Sequence, residues 1–407
     1  MRIRAAVLRE PGSVAIEEVE LDAPRANEVL VRVAAAGVCH SDVRLADGEL
    51  GDGRWPIVLG HEGAGVVEAV GDGVTHVVPG DHVGFSFVPA CRACRACLAG
   101  RPNLCEPAGR NSYRGTLMDG TSRLHVNGEV LQHGLMTACF AERTVVAGSG
   151  AVKIPPELPL WQAALLGCGV VTGIGAVRNV ARVVRGDSVC VIGCGGVGLQ
   201  VIAGARLAGA SVIVAVDRSA ASLELARARG ATHVVEADER TARTVRGLTE
   251  GGADHAFEVV GQPETVRLAW DAIRPGGQVV VVGLVPRGVD VSVPGIDFLS
   301  DKALRGTYYG SGDAARDIPD LARLALEGEL DLAQVVTHRT DLDGIGDALG
   351  RLRLGGDGRT VVIVDAARAV ADRRRRGDET ELELLAHHGE AAGARRCDRI
   401  RLRSEAE

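Results

Sequence analysis

The segment 188–217 carries the residues whose spacing points most clearly to ligand chemistry. An apolar run at 189–192 predicts a buried parallel strand, and the motif GCGGVG follows it directly. The glycines of GxGxxG allow a tight turn, let a pyrophosphate approach the backbone and let a helix pack on a strand. The phosphates are expected at the N-terminus of the next helix, where unpaired N–H groups favour negative charge. The residues predicted to contact the dinucleotide are Gly193, Gly195, Gly196, Val197 and Gly198.

Asp217 ends a second apolar run, about 20 residues past the glycines, where a carboxylate accepts hydrogen bonds from an adenosine ribose. A 2′-phosphate would meet like charge there, which favours NAD over NADP. Arg218 weakens that preference, because a guanidinium could receive the phosphate. The alternative is a glycine turn without a ligand. The order of strand, motif, helix, strand and acid favours the dinucleotide interpretation.

A second cluster is formed by four closely spaced cysteines in the pattern CxxCxxCx₇C. Four thiolates in one loop can close a tetrahedral zinc site with no open position, which is the structural kind. Close cysteine spacings also serve iron–sulfur clusters, which is the alternative. The wider pattern favours zinc. The predicted structural zinc ligands are Cys91, Cys94, Cys97 and Cys105.

Three further motifs each contain one or more potential metal ligands. They are GVCHSD at 37–42, GHEGAG at 60–65 and GCGVVTG at 167–173. Cys39 and His61 are unremarkable alone, and Cys168 is the candidate for a third ligand. His125 and His133 are interpreted as loop residues instead.

Length and composition limit the class of protein. At 407 residues the chain exceeds the length at which one core usually keeps growing, so two domains are expected. A net charge of -7 gives no reason to expect nucleic acid or an anionic membrane as partner. The N-terminus lacks the apolar core and cleavage site of a signal peptide, so a cytoplasmic protein is expected. In that reducing compartment the 10 cysteines are more typical of metal ligands than of disulfides.

The order of predicted elements indicates an α/β protein with a second, mostly β part. Short strands at 5–8, 14–16 and 29–33 are separated by turn residues. Between residues 186 and 284, strands and helices alternate, which predicts a doubly wound parallel sheet. A closing strand at 359–364 is expected to return to the first domain. The charged segment 366–407 has no sustained apolar face and is interpreted as a solvated or disordered tail.

Over residues 1–365 the chain resembles the zinc-dependent medium-chain alcohol dehydrogenases. The motifs GVCHSD, GHEGAG, GCGVVTG and GCGGVG and the four-cysteine lobe occur in the family order. The resemblance implies a Rossmann NAD-binding domain at 170–298. It implies a chaperonin-10-like catalytic domain at 1–169, with a return segment at 299–365. It also implies a catalytic zinc held by Cys39, His61 and Cys168, with Glu62 as a close carboxylate.

The implied ligand set agrees with the expected chemistry. Two cysteines and one histidine leave the fourth position of a tetrahedral zinc open for water or substrate. An alcohol bound there becomes more acidic, and hydride then leaves its carbon for the nicotinamide. Ser41 stands where the family keeps a hydroxyl that takes the alcohol proton. Asp42 matches a carboxylate that orients His61, and capping of a helix is a compatible role for both side chains.

Four further residues are assigned by the resemblance alone. His40 and Arg359 match contacts to the pyrophosphate, Thr172 a residue near the nicotinamide, and Phe87 a wall of the substrate pocket. Arg44 departs from the family, since many relatives have a histidine there that ends a proton relay. A guanidinium cannot serve as that base, so water or His40 is expected to complete the relay.

The leading hypothesis is reversible NAD-linked oxidation of an alcohol to an aldehyde or ketone, with about two zinc ions per chain. An alternative is oxidation of an S-(hydroxymethyl) thiol adduct of formaldehyde, which uses the same steps. A third possibility, from another class, is a non-catalytic nucleotide-binding protein. A homodimer or homotetramer formed through the edge strands of the Rossmann domain is expected by analogy.

Overall fold

The computed structural model describes residues 1–50, 55–355 and 358–369. The strands of these residues are β1 (Arg2–Leu8), β2 (Val14–Leu21), β3 (Glu28–Val38), β4 (Ile57–Val58), β5 (Glu62–Val70), β6 (His82–Phe85), β7 (Leu124–Val126), β8 (Glu129–His133), β9 (Arg143–Ala147), β10 (Ala151–Lys153), β11 (Ser188–Ile192), β12 (Val212–Asp217), β13 (His233–Glu236), β14 (Ala253–Glu258), β15 (Ile273–Val281), β16 (Ala303–Gly306), β17 (Val336–Thr340) and β18 (Arg359–Ile363).

The helices of the same residues are α1 (His40–Ala46), α2 (Arg95–Leu98), α3 (Glu106–Arg114), α4 (Leu160–Ala163), α5 (Gly169–Gly175), α6 (Gly198–Ala208), α7 (Ala220–Arg229), α8 (Thr241–Leu248), α9 (Pro263–Ala272), α10 (Ala314–Leu326), α11 (Ile345–Arg353) and α12 (Ala366–Ala369). Short 3₁₀ turns separate several of them, and a π-helical turn at Ala176–Ala181 continues α5.

Strands β1 to β10 belong to two β assemblies that share a core, and β17 and β18 complete the second of them. Strands β1, β2, β7, β8 and β4 close into a small barrel. The long strand β3 pairs with β5, β9 and β18, and so forms the centre of a seven-stranded sheet. Nearly all side chains of β3 are buried, because the sheet is covered on both faces. The predicted metal ligands Cys39 and His61 flank these strands, since Cys39 directly follows β3 and His61 directly precedes β5.

Residues 188–306 form a six-stranded sheet in the order β13-β12-β11-β14-β15-β16. All of its pairs are parallel. Helices α6 to α9 supply the first four crossovers and the 3₁₀ turn Gly295–Ser300 lies in the fifth, and the strand order is the 3-2-1-4-5-6 of a Rossmann fold. The point at which the order reverses lies between β11 and β14. The predicted α/β fold class, with a doubly wound parallel sheet, is confirmed.

The C-terminal part of the chain divides differently from the predicted boundary at residue 298. Strand β16 pairs in parallel with β15, so residues 303–306 belong to the Rossmann sheet and not to the return segment. Strand β18 then pairs antiparallel with β3 of the first sheet. The predicted tail 366–407 begins with the short helix α12, whose Ala369 is buried. The rest of that segment lies outside the described residues.

Residues 160–181 connect the two parts and run through the core between them. The segment consists of α4, a 3₁₀ turn at Ala164–Gly167, α5 and the π-helical turn. No single helix of the described residues has the length and apolarity needed to cross a membrane, although the bent pair Leu160–Gly167 and Gly169–Ala181 passes that test together. Cys168 lies at the break between the 3₁₀ turn and α5, which places its side chain at the boundary of the two sheets.

Candidate active site and metal centres

Cys39 and Asp42 are positioned by the start of α1. Cys39 is the N-cap residue, and its backbone N–H donates to Asp42 Oδ2 at 3.0 Å. The other carboxylate oxygen, Oδ1, accepts from Nδ1 of His61 at 2.9 Å. Both Asp42 and His61 are almost fully buried. One carboxylate therefore caps the helix and fixes the imidazole, so that Nε2 of His61 is directed away from it.

Nε2 of His61 lies 3.3 Å from Sγ of Cys168. The ligand atoms of Cys39, His61 and Cys168 all lie within 4.8 Å of one another, and all three residues are buried. Two sulfurs and one imidazole nitrogen at this separation fit a zinc ion with one open position. The predicted triad of ligands is thus brought together from three distant segments of the chain.

The titration of these groups reflects their mutual contact. Burial disfavours a protonated imidazole, but the charge and hydrogen bond of Asp42 outweigh it and raise the pKa of His61 to about 10. The hydrogen bond with Cys168, helped by the hydrogen bond and charge of His61, holds the pKa of Cys39 well below its usual value, although burial acts in the opposite direction. The same bond to Cys39 raises the pKa of Cys168. The cluster holds one thiolate readily, as a cation-binding site requires.

Two other predicted residues, Ser41 and Glu62, border the triad. Ser41 Oγ lies 3.9 Å from Cys39 Sγ. Glu62 is fully buried, and its Oε1 accepts from the backbone N–H of Gly169 at 2.9 Å. Its other oxygen pairs with the buried guanidinium of Arg359. Glu62 therefore joins β5 to the start of α5, immediately after Cys168.

Phe87 lies where the resemblance implies a wall of the substrate pocket. Its ring packs edge-on against His61, with centroids 5.4 Å apart. A cavity of about 260 Å³ begins beside this ring. The cavity is lined by Phe87, Val88, Asn103, Leu104, Cys105, Glu106, Ala108, Gly109, Ser112 and Tyr308. Its wall is mainly apolar, with a few polar groups, as small-molecule sites usually are.

The four-cysteine lobe forms a second metal-ligand cluster. The sulfur atoms of Cys91, Cys94, Cys97 and Cys105 lie within 4.8 Å of one another. Backbone N–H groups point at the sulfurs, since the N–H of Cys91 donates to Cys105 and that of Cys94 to Cys91, each at 3.3 Å. Backbone hydrogen bonds from Cys97 and Glu106 lower the pKa of Cys94 to about 6. Burial raises the pKa of Cys97 to about 12. Four converging sulfurs fit a closed zinc site.

The glycine motif forms the connection between β11 and α6. Gly193 has a φ of +94°, and a side chain at Gly198 would meet the carbonyl of Gly193 at 1.9 Å. A side chain at Gly195 would meet nothing within 4 Å, so this glycine faces open space at the N-terminus of α6. Asp217 Oδ2 accepts from the backbone N–H of Cys194 at 2.6 Å. The acid is therefore adjacent to the motif, as predicted, while Arg218 is exposed.

Arg359 connects the glycine motif with the metal-ligand triad. A Cβ at Gly196 would lie 2.3 Å from Cδ of Arg359, and Gly169 lies nearby. His40 keeps an exposed surface. Partial desolvation of its ring, followed by the charges of Arg359 and Arg44, lowers its pKa. Thr172 is on α5, whose next residue packs on the start of α6.

Arg44, His125 and His133 each contact residues outside the two metal-ligand clusters. Arg44 lies 3.8 Å from Glu49 in a surface ion pair. His133 was expected in a loop, but it ends β8 and is fully buried, and burial lowers its pKa to about 3. His125 lies in β7 and contacts Asp22. Sequence reasoning did not identify Tyr308 or Tyr309 as site residues, although the paired aromatics before Gly310 were a visible signal.

Comparison with known proteins decides the family. The alcohol dehydrogenase GroES-like domain matches residues 25–156, and the zinc-binding dehydrogenase domain matches residues 196–327. An S-(hydroxymethyl)glutathione dehydrogenase of Photobacterium damsela subsp. piscicida is 40% identical over 367 residues, which cover 89% of this chain and 100% of the relative. The chain belongs to the zinc-dependent medium-chain alcohol dehydrogenase family.

Solved structures of other alcohol dehydrogenases agree with this assignment. An alcohol dehydrogenase zinc-binding domain protein from Burkholderia ambifaria is 35% identical, with a TM-score of 0.86. The benzyl alcohol dehydrogenase of Acinetobacter calcoaceticus is 32% identical, with a TM-score of 0.84. Each alignment covers 89% of this chain and 99% of the other. The chain is therefore an oxidoreductase of the zinc-dependent alcohol dehydrogenase type.

Proposed function

We propose that this alcohol dehydrogenase oxidises an alcohol with NAD at a zinc ion held by Cys39, His61 and Cys168. The observation that carries the proposal is the convergence of these three buried side chains from separate segments to within 4.8 Å. When bound, the zinc would supply a Lewis acid that makes a substrate hydroxyl more acidic. A second zinc in the four-cysteine lobe would be structural.

The surrounding residues have distinct roles in this proposal. Asp42 fixes the ring of His61 and selects Nε2 as its ligand atom. Ser41, whose Oγ lies 3.9 Å from Sγ of Cys39, is proposed to take the proton of the substrate hydroxyl. Phe87 excludes water from one side of the reacting carbon, since its ring lies against His61. Glu62 holds Arg359 in position toward the cofactor.

The glycine motif and Asp217 support NAD as the cofactor. Gly195 leaves open space at the N-terminus of α6, where a pyrophosphate would meet free N–H groups. Asp217 is at the carboxyl end of β12, and its charge would repel a 2′-phosphate. Arg359 and His40 are proposed to contact the pyrophosphate from the catalytic domain, and Thr172 to lie near the nicotinamide.

A second candidate substrate is an S-(hydroxymethyl) thiol. The relative from Photobacterium damsela carries that activity in its name and aligns over its whole length. Both substrates present a hydroxyl on a carbon that gives up hydride, so the metal site does not separate them. They differ in whether the cavity beside Phe87 must also receive a thiol-bearing group.

The proposal is tested by metal content and by a substrate panel. We expect about two zinc ions per chain and NADH formation at 340 nm with a subset of alcohols. Cys168→Ser should lose about one zinc and the activity, whereas Cys190→Ser, a buried thiol of β11 outside both clusters, should keep both. Zinc confined to the four-cysteine lobe of the wild-type protein would favour a non-catalytic nucleotide-binding protein. Formaldehyde oxidation only in the presence of a low-molecular-weight thiol would assign the second substrate class.

We also propose a homodimer or homotetramer in the cytoplasm. Strand β16 has no partner on its outer side among the described residues, and an unpaired edge is a template for another chain. The adjacent 3₁₀ turn exposes Ile296, Phe298 and Leu299. The nine described cysteines are free thiols, which suits a reducing compartment.

A further inference from the structure

The segment 307–313 has an unusual backbone beside the candidate active site. Tyr309, Gly310 and Ser311 have φ values of +57°, +67° and +51°. A left-handed conformation is costly at the two non-glycine residues, Tyr309 and Ser311, and persists only where the surroundings enforce it. A Cβ at Gly310 would lie 2.3 Å from the carbonyl of Val171, so the segment is pressed against α5. Strained backbone of this kind clusters at active sites, where the surrounding structure maintains it.

Contacts from three other parts of the chain keep the segment in place. Asn103, in the four-cysteine lobe, donates to the carbonyl of Tyr308 at 3.0 Å. Asn179, in the π-helical turn after α5, donates to the carbonyl of Gly310 at 2.9 Å. Arg92, also in the lobe, forms a two-pronged ion pair with Asp313, with N···O distances of 2.5 and 2.8 Å. The segment is thus a bridge between the lobe and α5.

One of the side chains that this bridge presents to the site is that of Tyr309. Its hydroxyl is buried and donates to the backbone carbonyl of Gly167 at 2.8 Å. Gly167 directly precedes Cys168, and a Cβ on it would meet the carbonyl of Phe85 at 2.2 Å. The backbone before Cys168 is therefore confined on one side by Phe85 and held by hydrogen bonding from Tyr309.

The ring of Tyr309 makes a second contact with the site. It packs against Phe87 with centroids 4.4 Å apart and an interplanar angle of 60°. Phe87 in turn packs edge-on against His61. Aromatic pairs in this geometry are stabilising and orient both rings. Tyr309 therefore contacts neighbours of two of the three proposed zinc ligands without being one itself.

We infer that Tyr309 is a positioning residue that sets the direction of the Cys168 sulfur and the tilt of Phe87. Neighbours that orient metal ligands typically change metal affinity or activity by about 10- to 100-fold when they are removed. If this residue only filled the core, phenylalanine would suffice, because a buried hydroxyl costs free energy unless it is hydrogen-bonded. Here the partner is the carbonyl next to a ligand. The inference rests on the proposed role of Cys168 as a zinc ligand.

The test uses Tyr309→Phe, which keeps the ring and removes only the hydroxyl. Tyr113→Phe is the matched control, because Tyr113 is 44% exposed on α3. Each purified protein is loaded with zinc, or with cobalt, whose visible absorption reports the ligand geometry. We expect Tyr309→Phe to shift the cobalt spectrum, to lose zinc to a chelator about tenfold more readily and to lower kcat about tenfold, with KM for NAD unchanged. Tyr113→Phe should match the wild type in all three.

A merely structural role gives a different result. In that case Tyr309→Phe would lower the unfolding temperature while the cobalt spectrum, zinc retention and kcat stayed at wild-type values, and the inference would be overturned. If Tyr309→Phe does not fold, Asn179→Ala loosens the segment from α5 by removing the donor to Gly310, and the same cobalt shift is expected. Absence of a catalytic-site metal in the wild type would refute the proposed function itself. These two failures are therefore distinguishable.

Discussion

At the scale of single residues, the site depends on side chains that each serve two neighbours. Asp42 caps the helix that carries Cys39 and also fixes His61. Helix capping was predicted from the residue type and its place in the sequence, whereas the contact with His61 was implied only by the family resemblance. The hydrogen bonds from Cys39 and from His61 reach different oxygens of the same carboxylate. Loss of its negative charge should therefore weaken both.

Asp42→Asn is expected to impair the metal centre more than the fold. The amide has one acceptor oxygen in place of two, so either His61 or the N–H of Cys39 loses its partner, and the negative charge is lost. Zinc retention against a chelator and kcat should each fall at least about tenfold. Asp47→Asn is the control, because Asp47 follows the same helix and forms a half-exposed ion pair with Arg353. Wild-type zinc retention in Asp42→Asn would contradict the orienting role.

Other residue roles were not predictable from the sequence, because their partners are remote in the chain. Tyr309 and Gly167 are 142 residues apart, and no local pattern links them. His133 was placed in a loop because residues 110–145 are rich in turn residues, yet it ends β8 and accepts from the N–H of Arg123. Arg123 itself is fully buried against Glu28. Pairing of such distant polar groups depends on how the barrel closes, which local propensity does not determine.

At the scale of elements, each glycine in the connection from β11 to α6 has a different structural role. Gly193 adopts a positive φ, and Gly198 allows the helix to approach the strand. Both roles were predicted from the motif alone. The role of Gly196 was not, since it accommodates Arg359 from a strand 163 positions later in the chain. A local motif thus predicts the turn but not the side chain that packs over it.

This difference between the glycines predicts that Gly195→Ala changes cofactor binding with little effect on stability, whereas Gly196→Ala lowers stability as well. Gly195→Ala meets no atom within 4 Å and needs no left-handed backbone, so the free energy of unfolding should change by less than about 1 kcal/mol. The added methyl would stand where the pyrophosphate approaches, so the Kd for NAD should rise about tenfold or more. Gly196→Ala must instead displace Arg359, at a cost of about 1–3 kcal/mol. Denaturant unfolding measures the free energy of unfolding, and titration with NAD measures the Kd. Unchanged NAD affinity in Gly195→Ala would contradict pyrophosphate binding at this loop.

At the scale of the whole molecule, the chain leaves the first domain, builds the parallel sheet and returns through β18. The alternation of strands and helices predicted the sheet, because buried parallel strands are continuous apolar runs. The end of the sheet was placed too early, at residue 298. Strand β16 escaped prediction because three of its four residues are exposed and the segment reads ALRG, without the apolar run of an interior strand. An edge strand lacks that signal because it is not covered on both faces.

The exposed edge leads to the last prediction, on self-association. Leu299 is 82% exposed and stands with Ile296 and Phe298 in the turn before β16. Burial of such residues would stabilise a pairing of two β16 edges by about 25 cal/mol per Å² of apolar surface. Leu299→Glu places a charge in that contact, so sedimentation at micromolar concentration should show a shift toward smaller species. Leu354→Glu is the matched control, because Leu354 is 90% exposed after α11, away from the edge strand. Equal dissociation in both variants would show that added surface charge, and not the loss of a specific contact, causes it. A monomeric wild type would refute the β16 interface.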